Sequence, residues 1–200
     1  MKKVKTIIGI IVVLIAAFFY AHIAKANEIY DRSVDSSEYI GTGVFEEIIE
    51  QEFVCKEDTL DGISAKCQLQ GDAAGMSVNL ALIDNETGNI AAESSLRAED
   101  IKNSKFNLFS FPTVENCRGN SYTVRFESKE EILEESKGIG LVYQPETMKD
   151  TKLEIGSRET EGTLIIKAVT NRFDLETYCV LLIFIVYIFV FIKFLYKLFK

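Results

Sequence analysis

The chain has 200 residues, with 30 acidic and 22 basic side chains, one histidine, four cysteines and no tryptophan. Every acidic residue lies between Glu28 and Glu176, whereas seven of the 22 basic ones lie outside that span; 15 cations therefore meet 30 carboxylates in the middle, a formal charge of −15. Phosphate binding needs clustered Lys and Arg, so this segment is excluded as a nucleic-acid binder, and its charge serves solubility.

The N-terminus places Lys2, Lys3 and Lys5 before an uncharged stretch from Thr6 to Ala24. Nineteen residues at ~1.5 Å each cover ~28 Å, enough to cross hydrocarbon. A signal peptide competes with this reading, because Ile7–Tyr20 has the length of such an apolar region and Ala24-Lys25-Ala26 has the form of a cleavage site. In either case the basic flank stays in the cytoplasm and the following chain is exported.

Residues 28–44 are polar and weakly patterned and read as a linker or a short membrane-proximal helix. From residue 45 the apolar positions alternate with period two, broken by turn residues every eight to twelve positions, which predicts about eight strands in an all-β sandwich. Ile63, Ala65, Cys67 and Leu69 share one strand face, as do Met76, Val78, Leu80 and Leu82. Asp84-Asn85-Glu86-Thr87-Gly88 predicts a hairpin loop, because Asp and Asn tolerate unusual backbone angles and Gly supplies positive φ. Ile90 begins the return strand, and Ala98-Glu99-Asp100-Ile101 has the look of one helical turn. Phe106–Phe111 is predicted to be a strand that Pro112 ends. Tyr122, Val124 and Phe126 line the next strand, and 138–143, 152–155 and 163–169 complete the set.

Thr177–Ile192 is uncharged and rich in Leu, Ile, Val and Phe. Lys193 can snorkel, so this helix is expected to run to Leu198, with Lys193, Lys197 and Lys200 marking the cytoplasmic side. The expected organisation is an N-terminal transmembrane anchor or signal segment (1–27), a linker (28–44), an extracytoplasmic β-sandwich (45–174) and a C-terminal transmembrane helix with a basic tail (175–200). Both termini are then cytoplasmic, with the sandwich outside the plasma membrane.

Three cysteines, Cys55, Cys67 and Cys117, fall in the exported part, and Cys179 at the membrane edge. Antiparallel pairing of the strand ending at Cys67 with the strand beginning near Ser121 would join Cys67 to Cys117; all three as buried free thiols is the alternative.

The sequence shows no catalytic constellation. His22 is the only histidine and lies in the first apolar segment, so Ser-His-Asp and Cys-His chemistry has no base in the domain. With so many acids a pair at glycosidase spacing arises by chance, and Glu46-Glu47 and Glu130-Glu131 with Glu134-Glu135 read as solvated faces. The chain is expected to be no enzyme and to hold no cofactor or metal. Asn85-Glu86-Thr87 matches a glycosylation acceptor. Of the domain's tyrosines, Tyr30, Tyr39, Tyr122 and Tyr143, the last two are the candidate ligand contacts, although their alternation with apolar neighbours favours core or half-buried packing over a binding face.

The order Gln51-x-Phe53, Leu60-Asp-Gly-Ile63, Asp84-x-x-x-Gly88 and Gly119-x-x-Tyr122-x-Val124-x-Phe126 resembles the jelly-roll, carbohydrate-binding-module-like ectodomains of Gram-positive bacterial membrane proteins. The resemblance covers roughly residues 45–145. It implies a jelly-roll-like sandwich that binds a glycan or a partner such as a membrane glycosyltransferase during surface polysaccharide assembly. The chain departs from that pattern in lacking tryptophan, the usual sugar-stacking residue, and a polytopic catalytic domain. The alternative function is an accessory subunit of a transport or secretion complex, working through protein contacts.

Overall fold

The computed structural model describes residues 2–44, 47–129 and 137–199. They divide into two units, Ala26–Thr170 and the two chain ends, Met1–Lys25 with Asn171–Lys200. Glu46, Glu130, Glu131, Glu134 and Glu135 lie outside the described residues.

The larger unit is a two-sheet sandwich. Its strands are β1 (His22–Glu28), β2 (Ile40–Gly41), β3 (Ile49–Val54), β4 (Thr59–Gln70), β5 (Ser77–Asp84), β6 (Ile90–Arg97), β7 (Lys105–Glu115), β8 (Ser121–Lys129), β9 (Gly138–Gln144), β10 (Lys152–Ile155), β11 (Arg158–Thr160), β12 (Thr163–Leu164) and β13 (Ile166–Phe173). One sheet has the order β1-β13-β4-β9-β12, with β7 on the other edge of β4 and β2 on β9; the second runs β11-β10-β3-β8-β5-β6. Period-two alternation does the sorting: Ile63, Ala65, Cys67, Phe109 and Leu141 line the inner face of the first sheet, and Ile49, Phe53, Leu80, Leu82, Val124 and Phe126 that of the second.

The expected hairpin is present. Asp84 accepts the amide hydrogens of Glu86 (2.8 Å) and Thr87 (3.2 Å) on Oδ1, and Gly88 at φ 71° donates its N–H to Asp84 O. The single turn at Ala98–Asp100 is present as 3-10 helix.

Two expectations need correction. Pro112 does not end its strand, because β7 continues to Glu115. The pairing steps from Leu60↔Val114 to Gly62↔Ser110, so Pro112 sits in a bulge where no ladder N–H is required. Residues 28–44 are not a linker. Ile29 N–H donates to Ile166 O (3.1 Å), Asp31 N–H donates to Gln144 Oε1 (3.1 Å), and Ile40 and Gly41 pair with Tyr143 and Val142. Tyr30 stacks on Phe106 at 6.1 Å, Lys167 lies 4.4 Å from the Phe106 ring, and Lys66 lies 5.0 Å from Tyr39. This segment therefore covers the outer face of the first sheet, and a two-residue edge strand carries no periodic signal for sequence reasoning to detect.

In the smaller unit α1 (Lys2–Tyr20) and α2 (Leu175–Leu198) run antiparallel; at one end Asp174 N–H donates to Ala21 O (2.8 Å). Asp174 caps α2, and its carboxyl, accepting from the amides of Thr177 and Glu176, is held below the usual aspartate value. Leu175–Leu198 is long and apolar enough to cross a membrane, and none of its residues is buried. The N-terminal span expected over residues 6–24 is shortened, because α1 stops at Tyr20 and His22 already opens β1; the apolar part, Ile8–Tyr20, covers only ~20 Å. His22 lies against Phe18 and Phe173, with ring centroids at 4.6 and 5.3 Å.

Gly62 lies at the bulge between β4 and β7. A Cβ there would meet the Phe109 carbonyl oxygen at 2.9 Å and Leu108 Cδ1 at 3.0 Å. Gly62→Ala is expected to destabilise the domain by about 1–3 kcal/mol through overpacking against backbone. The readout is the urea midpoint of the detergent-solubilised chain; an unchanged midpoint would mean that β4 and β7 separate at no cost.

Candidate functional site

Because Val124 and Phe126 point into the core, their neighbours on β8, Thr123, Arg125 and Glu127, point out. The register then aligns residues from distant parts of the chain into rows across the outer face of the second sheet. One row reads Glu159, Glu154, Glu50, Arg125, Ala81 and Glu93. Its neighbour reads Glu127, Asn79 and Ser95.

Ala81 is the small member between Arg125 and Glu93, and a hollow opens above it. The hollow has a volume of about 590 Å³ and is lined by Asn79, Ala81, Ile90, Glu93, Ser95, Arg125 and Glu127, among others. Arg125 Nε donates to Glu50 Oε1 at 2.6 Å, and its guanidinium borders the hollow. Further along β10, Lys152 pairs with Glu154 and with Glu159. A second polar chain borders the site: Ser121 Oγ donates to Glu52 Oε1 (2.9 Å), Asn85 Nδ2 to Ser121 Oγ (2.8 Å), and Thr123 Oγ1 to Asn85 Oδ1 (2.8 Å). The Asn85 amide of the glycosylation-like motif is thus bonded at both ends. Half-exposed ion pairs of this kind contribute roughly 0–1 kcal/mol to stability, so the fold does not depend on them. The face is an array of guanidinium and amide donors beside carboxylate and hydroxyl acceptors, suited to hydrogen-bonding a polar ligand. Among the described residues no group of three or more His, Cys, Asp or Glu is placed to hold a metal ion.

The ligand contacts expected from the sequence lie elsewhere. Tyr122 is 2% exposed, packs on Phe53 at 6.2 Å, and has its phenol pushed up to about 12 by burial and by the Cys117 thiol. It is a core residue and reaches no ligand. Tyr143 is half-buried on β9, packed against the core and in register with Ile40 and Leu164, away from the polar face. The residues that do line the hollow read in the sequence as a solvated face, because only strand register shows that Glu50, Arg125 and Glu93 share a row.

The Cys67–Cys117 link is also corrected. Cys67 lies opposite Lys105 on one side and Leu141 on the other, whereas Cys117 N–H donates to Asp58 O beyond the far end of β4. Cys67 lies eight residue steps along the strand from Thr59, ~26 Å at strand rise, against a bridging limit of about 7 Å between Cα atoms. The expectation failed because β8, which follows Cys117, belongs to the other sheet.

No family model matches the chain, and no curated protein matches it. Among solved structures it is similar to the VP2 subviral particle of infectious bursal disease virus. That likeness has 9% identity and a TM-score of 0.30, covering 74% of this chain and 40% of that one. The chain thus spans less than half the length of that structure, and at this TM-score the likeness carries no argument.

Burial pushes the Cys67 thiol up from about 9 to about 12. A raised folded-state value means that the folded form retains its proton longer than the unfolded form does. The associated stability is complete below pH ~9 and is lost as pH rises toward 12. The urea midpoint is expected to stay level to pH ~9 and then fall. Cys67→Ala should flatten part of that fall, and an equal slope in the variant would remove Cys67 as its source.

Proposed function

We propose that the protein is a membrane-tethered binding module. In this reading α2 spans the plasma membrane and α1 lies beside it, with both termini in the cytoplasm and the sandwich outside. Its polar sheet face binds a neutral, polyhydroxylated polymer of the cell surface. The observation that carries this reading is the Arg125–Glu50 row with the hollow above Ala81. The Arg125 guanidinium and the Asn79 amide lie there beside the carboxylates of Glu93 and Glu127 and the Ser95 hydroxyl, the donors and acceptors that a polyhydroxylated ligand requires. The domain charge of −15 disfavours anionic polymers. The lack of tryptophan leaves recognition to hydrogen bonds rather than ring stacking. The antiparallel helices and the basic residues at both chain ends, Lys2, Lys3 and Lys5 with Lys193, Lys197 and Lys200, support the topology. The resemblance of residues 45–145 to carbohydrate-binding-module-like jelly rolls supports a role beside the glycosyltransferases of surface polysaccharide assembly.

A second reading, an accessory subunit acting through its helices, is favoured by the apolar groove that Gly9 and Val13 form with Val186 and Phe189.

The binding reading is tested on a glycan array with the full chain in nanodiscs. Arg125→Ala is expected to weaken binding at least ~10-fold while moving stability by no more than about 1 kcal/mol. Absence of binding by the wild-type chain, with a protein partner retained on the helices, would favour the second reading. Topology is read separately. A membrane-impermeant maleimide applied to intact cells should label Glu86→Cys and miss Lys197→Cys; the reverse pattern would place the sandwich in the cytoplasm.

A further inference from the structure

Cys55 follows β3 and Cys117 precedes β8, strands that pair from Ile49↔Phe126 to Val54↔Ser121. Beyond Val54↔Ser121 the pairing continues through the connection. Cys55 N–H donates to Asn120 O, and Gly119 N–H donates to Cys55 O, both at 2.9 Å. Asn120 N–H donates to Cys117 O at 3.0 Å, closing a tight turn in which Asn116 (φ 59°) and Gly119 (φ 82°) are left-handed. The turn folds Cys117 back toward Cys55, and the two thiols lie close enough for each to perturb the other. Both are buried in the same core cluster beside Tyr122, and each thiol also faces a carbonyl: Glu57 O at 3.4 Å from Cys55 and Val114 O at 3.1 Å from Cys117.

We propose that Cys55 and Cys117 form the structural disulfide of this domain, pinning the end of β3 to the turn that enters β8. The oxidant is a thiol–disulfide exchange disulfide. One cysteine thiolate attacks it, forming a mixed disulfide and releasing one oxidant thiol. The second thiolate then displaces the remaining oxidant sulfur and closes the S–S bond. Two protein thiols are oxidised, one external disulfide is reduced to two thiols, and the two protons pass to those thiols. Burial raises both cysteines above the usual thiol range, which disfavours the attacking thiolate in the finished fold. The exchange therefore accompanies folding, before the core closes. The bridge closes a loop of about 60 residues, long enough for a substantial restriction of the unfolded chain. The proximity of the two thiols does not depend on the proposed function; only oxidation in the cell rests on that reading, through export.

The test uses the full chain in detergent, refolded in a glutathione redox buffer and then mapped by non-reducing peptide mass spectrometry. The expected result is one linked pair containing Cys55 and Cys117, with Cys67 and Cys179 alkylated after denaturation. Reduction of the wild-type protein should lower Tm by roughly 5–15 °C. Cys55→Ser, Cys117→Ser and the double variant should show similar losses, because each removes the same bond. Four free thiols at equilibrium with oxidised glutathione, or a link to Cys67, overturns the proposal. Mapping of protein alkylated in intact cells separates the two readings: a pair linked in vitro but reduced in cells upholds the disulfide site and overturns export.

Discussion

The structure depends on the contact of Phe109 with Phe126 across the sandwich. The rings meet edge-to-face at 5.6 Å, one from β7 in the first sheet and one from β8 in the second, and neither is exposed. Edge-to-face geometry matches the positive rim of one ring to the negative face of the other, adding about 0.5–1.5 kcal/mol to the burial itself. Strand side chains alternate, so anchoring these two residues inward sets the direction of every other residue on both strands. A slip of one residue on β8 would bury Arg125 and Glu127 and expose Val124 and Phe126.

One buried polar side chain complements this apolar contact. Gln51 is fully buried among apolar residues, yet all its bonding capacity is directed at backbone. Its Nε2 donates to Glu52 O (2.9 Å) and Lys152 O (3.0 Å), and its Oε1 accepts from Leu164 N–H (2.9 Å). The amide thereby links β3 and β10 of the second sheet to β12 of the first. A buried donor left without a partner costs about 1–3 kcal/mol, so Gln51 specifies how the sheets meet at that edge. Thr163 plays a similar part nearby, donating to Glu146 O (3.0 Å) and accepting from Met148 N–H (2.9 Å).

The polar face follows from this core. Arg125 points outward because Val124 and Phe126 point inward, and it meets Glu50 because β3 is held in register by Ile49 and Phe53. The hollow exists because Ala81 is short between longer neighbours. This polar face is positioned by the sandwich and contributes little to its stability.

How much of this could be read from the sequence depends on the range of each interaction. Period-two alternation around Leu80, Leu82, Val124 and Phe126 dictated strands with one buried face, and the Asp84–Gly88 hairpin was legible because its bonds close within five residues. The end of α2 at Leu198 followed from its apolar composition and from Lys193, Lys197 and Lys200. Other features depended on partners far along the chain. Asp31 is an ordinary polar residue until Gln144 is brought to its N–H, and Pro112 stays within a strand only because β7 itself bulges there, opposite Asp61. The cysteines state the division most sharply. Four residues of one type carry no pairing information by themselves, and only the register of β3 with β8 brings Cys55 to Cys117 while leaving Cys67 at the far end of β4. Local chemistry determined what each segment could become, and the pairing of distant strands decided which side chains would meet.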